Sequence, residues 1–252
     1  MKNFRHTCVL LACAGAASVC GAATVNITFD NPIFTGSGYD NVNITYPALL
    51  PPSGSTSANV AAGRFQGTAN SYTDVPPSIF VDSVADVFMY CYDLYHNISS
   101  GQTVNYTINY NGALARTRDF LGAVNGVMNA DSRLPVDPYA WLHPKNASQG
   151  AAIQLGIWES KYETDPIWSL AEGSFKASDL ELETAAYWNS FVGALGTYGD
   201  VGVESVVTFE APNAQNMIAG DPPAHVPEPG SLALLGVGLA GLALARRNKV
   251  SH

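Results

Sequence analysis

The chain has 252 residues, of which 47% are hydrophobic and 13% charged, and its formal net charge is −9 at pH 7. Five of the 12 basic residues and one of the 21 acidic residues lie in residues 1–22 and 226–252, which leaves seven basic residues against 20 acidic ones between these ends. Such an acidic body excludes nucleic acid and anionic membrane surfaces as electrostatic partners. The roughly 200 residues between the ends are enough for one domain.

Residues 1–22 have the pattern of a cleaved signal peptide. Basic residues precede an apolar run at 9–19, and small residues follow it. The run is too short to span a bilayer, so we predict export and a mature N-terminus near Ala23 or Thr24. A lipoprotein signal around Cys13 fits less well, because few apolar residues precede that cysteine.

The first half of the remaining chain predicts β-strands. Residues 25–29 and 42–46 alternate between apolar and polar side chains, which is the period of a half-buried strand. Residues 53–57 are predicted to form a loop. A strand, or two strands with a bend, is predicted over 79–93. The segment 102–110 alternates throughout and ends at a turn signal.

Helical periodicity follows. The spacing of apolar residues predicts one helix over about 112–129. A second helix is predicted over Ala147–Tyr162, with Asn146 or Ser148 as its N-cap.

A third helix is predicted to begin at Ser178, because Ser178 and Glu181 form a capping-box pattern before an apolar repeat. Residues 201–209 return to the strand pattern. Strands, then helices, then a strand predict a single α+β domain that is rich in β-strand, with its helical portion at about 112–196.

Cys91 is the one cysteine that remains after signal cleavage, since Cys8, Cys13 and Cys20 all lie in the signal peptide. A single thiol in an exported protein has no partner for an internal disulfide. Cys91 is therefore either a small buried hydrophobe or a functional group, which means a nucleophile, a metal ligand or half of a thioester.

Two short motifs carry the candidate site. Tyr-Cys-Tyr-Asp at residues 90–93 ends an apolar segment, and Ile-Gln-Leu-Gly-Ile-Trp occupies residues 153–158. The pair resembles the thioester domains of bacterial surface adhesins, in which a cysteine in an aromatic or aliphatic setting is bonded to the glutamine of a Thr-Gln-x-Ala-Ile-Trp motif. The likeness covers roughly residues 78–210, and Ile153 and Gly156 depart from the motif.

This resemblance implies that Cys91 and Gln154 form an internal thioester for covalent attachment to a surface protein or polysaccharide. The expected motif and packing residues around the pair are Tyr90, Tyr92, Asp93, Ile157 and Trp158. A thioester carbonyl is open to attack by amines and hydroxyls, so it needs a shielded site, and a helix places Gln154 and Trp158 on one side. The candidates for proton transfer, among which the sequence does not choose, are Tyr90, Tyr92, Tyr95 and His96.

Two other uses of Cys91 are weaker. A cysteine hydrolase would pair Cys91 with His143 or His96, but no Cys-Gly-x-Cys-Trp setting surrounds the cysteine. A metal site needs clustered ligands, whereas His96, His143 and His225 are isolated in the sequence. We therefore expect no metal, no cofactor and no enzymatic turnover.

The C-terminal end has three parts in order: a Pro-Glu-Pro sequence, an apolar segment at 231–245 and a basic cluster. The residues that border the apolar segment are Pro227, Glu228, Pro229, Arg246 and Arg247. This arrangement resembles the PEP-CTERM sorting signal of Gram-negative bacteria. It implies an exosortase as processing partner, a C-terminal transmembrane helix before processing, and a final place in the cell envelope, at the outer surface or in the extracellular matrix.

The predicted organisation is a signal peptide (1–22), an N-terminal β and loop region (23–77), a thioester-like domain (78–210), a linker (211–225) and a sorting segment (226–252). The predicted function is adhesin-like covalent attachment to amine or hydroxyl groups. A passive protein of an exopolysaccharide or biofilm matrix is the alternative, because the sorting signal agrees equally well with that role.

Overall fold

The fold is that of a computed structural model, which describes residues 22–49, 54–75, 79–130 and 135–221. The predicted signal peptide up to residue 21 and the sorting segment at 226–252 lie outside these residues. The strands are β1 (Thr24–Phe29), β2 (Tyr39–Pro47), β3 (Ser55–Gly63), β4 (Phe65–Thr73), β5 (Val87–Cys91), β6 (Thr103–Asn109), β7 (Lys176–Ser178), β8 (Val206–Glu210) and β9 (Met217–Gly220). The helices are α1 (Ala115–Met128), α2 (Ala147–Tyr162) and α3 (Leu182–Gly193), with short 3₁₀ helices at Ala140–Leu142 and Val203–Ser205.

Six strands close into an antiparallel barrel in the order β1-β4-β5-β9-β8-β6. Successive side chains of a strand point to opposite faces, so the alternation seen in the sequence sends every second residue of β1 and β6 inward. Val25 and Ile27 are fully buried in this way, as is Tyr106 of β6. The Tyr106 ring packs against Phe29 and Phe209, with ring centroids 6.4 and 5.9 Å apart. The barrel interior is therefore a filled apolar core.

A second layer covers one side of the barrel. Strands β3, β2 and β7 form a separate antiparallel sheet in that order, and α2 packs against β2 and β3 of this sheet and against β5 of the barrel. Helices α1 and α3 pack against α2. Because 14 of the 16 residues of α2 are buried, this helix is the central packing element of the domain.

Gly156 allows α1 to approach α2 closely. A Cβ atom at this position would lie 1.9 Å from Cζ of Phe120, which is a steric overlap. The Phe120 ring thus occupies the space that a methyl group at residue 156 would need.

The prediction of a β-rich single domain with helices is confirmed. Helix α2 has the predicted bounds, and Asn146 rather than Ser148 is its N-cap, since the Asn146 side chain accepts a hydrogen bond of 2.8 Å from the Gln149 N–H. Helix α1 lies within the range predicted for it.

The prediction that the third helix starts at Ser178 is wrong. Ser178 ends β7, where it pairs with Asn43 of β2, and α3 begins only at Leu182. The first turn is held instead by Asp40 of β2, which is distant in sequence. Its Oδ2 accepts hydrogen bonds from the Glu181 N–H at 3.0 Å and from Thr184 Oγ1 at 2.8 Å. A cap supplied by a distant strand leaves no local sequence pattern.

The strand predicted over 79–93 is shorter, since only Val87–Cys91 is β-strand. Ser83 causes the difference: its hydroxyl accepts hydrogen bonds from the N–H groups of Ala85 and Asp86, which turns the chain before β5. The strand predicted over 201–209 likewise begins only at Val206, after a 3₁₀ turn.

Two polar segments that the sequence did not identify are strands. β3 begins at Ser55, inside the loop predicted for 53–57, and β4 is the barrel strand between β1 and β5. Residues 211–225, interpreted as a linker, contribute β9, which pairs with β5 and β8 and completes the barrel. Small and polar residues dominate β3 and β4, so these strands depend on their neighbours rather than on local propensity.

Within the part of the chain that the structure describes, no helix combines the length and the apolar character that crossing a membrane requires. The predicted transmembrane sorting helix falls in 226–252, outside that part.

Candidate functional site

Cys91 and Gln154 meet at the interface between the barrel and α2. Cys91 is the last residue of β5 and Gln154 lies in the middle of α2, and both are 0% exposed. On one side of Cys91, β9 continues the sheet through the pair Cys91 and Met217. On the other side, the pairing with β4 ends at Met89, so the peptide group of Cys91 has no strand partner there.

The Gln154 carboxamide occupies that place. Its Oε1 accepts a hydrogen bond of 2.8 Å from the Cys91 N–H, and its Nε2 donates one of 2.8 Å to the Cys91 carbonyl oxygen. A side-chain amide thus replaces the missing strand residue and satisfies a buried peptide group. The same contacts bring the side-chain carbonyl of Gln154 next to Cys91.

The Cys91 thiol is held on two sides. Its Sγ donates to the carbonyl oxygen of Asp93 at 2.9 Å and accepts from Nε1 of Trp158 at 3.3 Å. Burial raises the pKa of Cys91 to about 12, although hydrogen bonding with the Asp93 backbone and the Trp158 side chain lowers it. The pKa shift therefore favours the protonated thiol at neutral pH as long as the sulfur is not bonded to Gln154.

Asp93 connects the Cys91 thiol to the surrounding side chains. The carbonyl oxygen that accepts from the thiol also accepts from Nε2 of Gln215 at 3.0 Å. The buried carboxylate accepts from the Tyr95 N–H at 2.8 Å and contacts Nδ1 of His96 at 2.5 Å. An aspartate and a histidine therefore stand directly beside the Cys91 segment.

The remaining motif residues have packing roles. Tyr90 is fully buried and its ring lies 6.0 Å from that of Trp141, while Ile157 is fully buried in the core. The Tyr92 hydroxyl accepts a hydrogen bond from the Leu114 N–H and contacts Thr117. Burial raises the pKa of Tyr90 and of Tyr92. Among the four candidates for proton transfer, the His96 side chain is the one that contacts a carboxylate.

Two residues of the site were missed by the sequence analysis. Lys161 lies on α2 seven residues after Gln154, so its position on the same side of the helix was a usable signal. Its Nζ donates to the carbonyl oxygen of Tyr92 and lies 3.8 Å from the centre of the Tyr92 ring, and burial lowers its pKa. Gln215 gave no signal, because it lies in the segment interpreted as a linker.

The contacts of Cys91 do not favour a cysteine hydrolase or a metal site. Neither hydrogen-bond partner of the sulfur is a histidine, as a cysteine hydrolase would require. Both ring nitrogens of His143 contact carboxylates instead, those of Asp137 at 2.6 Å and Asp82 at 3.1 Å. Among the described residues, no group of three histidine, cysteine or carboxylate side chains is placed to hold a metal ion.

Fold and site together define a β-barrel domain with a shielded cysteine–glutamine pair at its helical side. At the C-terminal end, residues 225–247 match the PEP-CTERM protein-sorting motif, so the prediction of that signal from its border residues is confirmed. The motif indicates recognition by an exosortase and export to the cell envelope or surface. No curated protein and no solved structure shows significant similarity to the chain, and no relative supports the resemblance of the body to thioester domains.

Proposed function

We propose that the exported body forms an internal thioester between Cys91 and Gln154 and uses it to attach covalently to amine or hydroxyl groups at the surface or in the matrix. The observation that carries the proposal is the contact of the Gln154 carboxamide with Cys91 in a fully buried site. Each protein molecule would react once with its partner, so the protein is an adhesin-like reagent and not an enzyme.

The chemistry balances with the groups at hand. The Cys91 sulfur attacks the Gln154 side-chain carbonyl, the new carbon–sulfur bond replaces the carbon–nitrogen bond, and the thiol proton leaves with nitrogen as ammonia. The Cys91 N–H already points at Oε1, where negative charge develops during attack.

The buried setting protects the product. Exclusion of water limits hydrolysis of the thioester. A thiol of high pKa is also a slow leaving group, so the burial that raises the pKa of Cys91 preserves the bond until a strong nucleophile arrives.

A passive matrix protein is the second candidate, and one observation favours it. The two hydrogen bonds of Gln154 fully account for its position as a replacement for a strand partner, without any covalent step. The sorting motif agrees with both roles.

The mass of the exported body, residues 23 to about 226, separates the two. We expect wild-type protein to be lighter than its sequence mass by one ammonia, and Cys91→Ala and Gln154→Ala to have their full masses. Ring closure needs both the sulfur and the carboxamide, and Cys91 is the only cysteine in this body.

Gln149→Ala is the matched control. Gln149 is a buried glutamine on the same helix, and its Oε1 accepts from the Lys145 N–H rather than from Cys91. This variant should keep the mass deficit. A full-mass wild-type protein with a thiol that alkylates only after unfolding would exclude the thioester and leave the passive role.

A further inference from the structure

We propose that a cleft beside Trp158 admits the nucleophile of the partner, that this nucleophile is an aliphatic primary amine such as a lysine side chain, and that His96 accepts its proton. The inference rests on the proposed thioester. It adds the access path, the class of nucleophile and the base.

The cleft lies between the β2–β3 sheet and the segment that follows β5. Its volume is about 250 Å³. Most of its walls are apolar, as shown by Ile33, Phe34, Ile44, Phe65 and Leu94. Its polar lining includes His96, Gln215 and the indole of Trp158. The cleft is thus a small apolar space with a few polar groups on one side.

Trp158 and Gln215 are the wall between the cleft and the sulfur. The Trp158 indole donates directly to Cys91 Sγ at 3.3 Å. Gln215 donates to the Asp93 carbonyl oxygen at 3.0 Å, and the thiol donates to that same oxygen at 2.9 Å. Each wall residue is therefore one or two hydrogen bonds from the sulfur, and the proposed access path to the thioester passes these two side chains.

His96 is arranged as a base. Its Nδ1 lies 2.5 Å from Oδ2 of Asp93, whose side chain is 6% exposed, while the imidazole itself is 39% exposed. Proton transfer requires the tautomer in which Nδ1 donates to the carboxylate, so that Nε2 carries the lone pair that accepts the proton. His96 lines the cleft.

The step balances without any other reactant. The amine nitrogen attacks the Gln154 acyl carbon, and the carbon–sulfur bond breaks as the amide bond forms. His96 takes the proton that nitrogen loses and returns it to the Cys91 sulfur, which ends as a free thiol.

The shape of the cleft selects the class of nucleophile. Pockets for drug-sized ligands measure about 300–1,000 Å³, so this one fits a single side chain rather than a sugar chain. Apolar walls suit the methylene stem of a lysine.

The first test uses alkylamines on the exported protein. Mass spectrometry follows the conversion of the ammonia-deficient species to the amine adduct on Gln154. Pentylamine should react faster than methylamine, by about two- to fourfold for each methylene that the cleft buries. Glycerol, a hydroxyl probe, should react far more slowly than either amine.

His96→Gln should keep the mass deficit but slow the reaction with pentylamine by roughly 10²-fold, the lower range for loss of a general base. Added imidazole should restore part of the rate, which a merely structural role would not allow. His143→Gln is the matched control, because His143 also contacts an aspartate but does not line the cleft. The His143→Gln protein should react with pentylamine at the same rate as wild type.

Ala61→Phe tests the cleft independently of His96. Ala61 lines the cleft, so the larger ring should slow the reaction with pentylamine much more than the reaction with methylamine. Ala171→Phe on the exposed surface should change neither rate.

If wild-type protein lacks the mass deficit, the proposed function and this inference both fail. If the deficit is present but chain length, His96→Gln and Ala61→Phe leave the rates unchanged, the thioester stands and the cleft is not its access path.

Discussion

Glu159 and Glu163 lie one helical turn apart at the end of α2, yet their surroundings shift their carboxyl pKa values in opposite directions. Glu159 is fully buried: its Oε1 accepts from the Ser169 N–H at 3.0 Å, but its Oε2 has no hydrogen-bond partner among the described residues. Burial raises the pKa of Glu159 to about 7. For Glu163, burial raises the pKa, but four backbone N–H donors more than offset it, and the net pKa is lowered.

This contrast predicts a pH-dependent effect of Glu159→Gln. The folded-state pKa of about 7 lies above the unfolded value of about 4.3, so the folded protein binds the proton more tightly. The contribution of Glu159 to stability is full below pH 4 and is lost as pH rises from about 4.3 to 7. The variant should therefore be about 1–3 kcal/mol more stable than wild type at pH 8 and equal to it at pH 4, as measured by urea unfolding.

Glu163→Gln is the control of opposite sign. It removes the carboxylate that accepts from the N–H groups of Thr164, Asp165, Ser174 and Phe175. This variant should destabilise the protein at pH 7, and the loss should shrink as pH falls toward the carboxyl range. Stabilisation by both variants at pH 8 would show that burial, and not these four N–H donors, determines the direction of the pKa shift of Glu163.

Helices α2 and α3 begin in different ways. The N-cap of α2 is Asn146, its immediate neighbour in sequence, whereas the first turn of α3 depends on Asp40 of β2. Asp40→Ala should cost about 1–2 kcal/mol of unfolding free energy, since the Glu181 N–H and the Thr184 hydroxyl both lose a buried acceptor. Thermal melts would measure the loss.

Ser178→Ala is the matched control for the cap of α3. If the local capping-box pattern held the helix, this change would be as costly as loss of Asp40. Because Ser178 is an exposed strand residue, we expect its replacement to change stability by less than about 0.5 kcal/mol.

The same distinction explains which elements the sequence predicts. Helix α2 could be placed because its cap and apolar repeat are local. The β1 and β6 strands could be placed because alternation is local too. At Ser83 a hydrogen-bonded turn stands where the sequence pattern predicts a strand. Strands β3, β4 and β9 lack a local signal and form because they pair with neighbouring strands. For the site, the cysteine–glutamine pairing came from a resemblance, while the contacts of Asp93 with His96 and Gln215 required the fold.

Closure of the barrel and assembly of the site both involve strand β9. β9 pairs with β5 on one side and with β8 on the other. The turn that leads into it brings Gln215 to the Asp93 carbonyl oxygen and the Asn216 carbonyl oxygen to the Tyr92 N–H at 2.7 Å. The segment interpreted as a linker therefore both closes the sheet and holds the chain around Cys91.

Two truncations test this dependence. A body ending at residue 221 keeps β9 and should melt cooperatively, with the mass deficit of the longer protein. A body ending at residue 210, the predicted end of the domain, leaves β5 and β8 as open edges beside an exposed core, so it should melt without a sharp transition and aggregate. Its thiol should alkylate readily and its mass should be full, because without β9 the Cys91 segment loses its pairing with Met217 and the hydrogen bond from the Tyr92 N–H to Asn216. Equal melting curves for the two bodies would show that the barrel and the site form without β9.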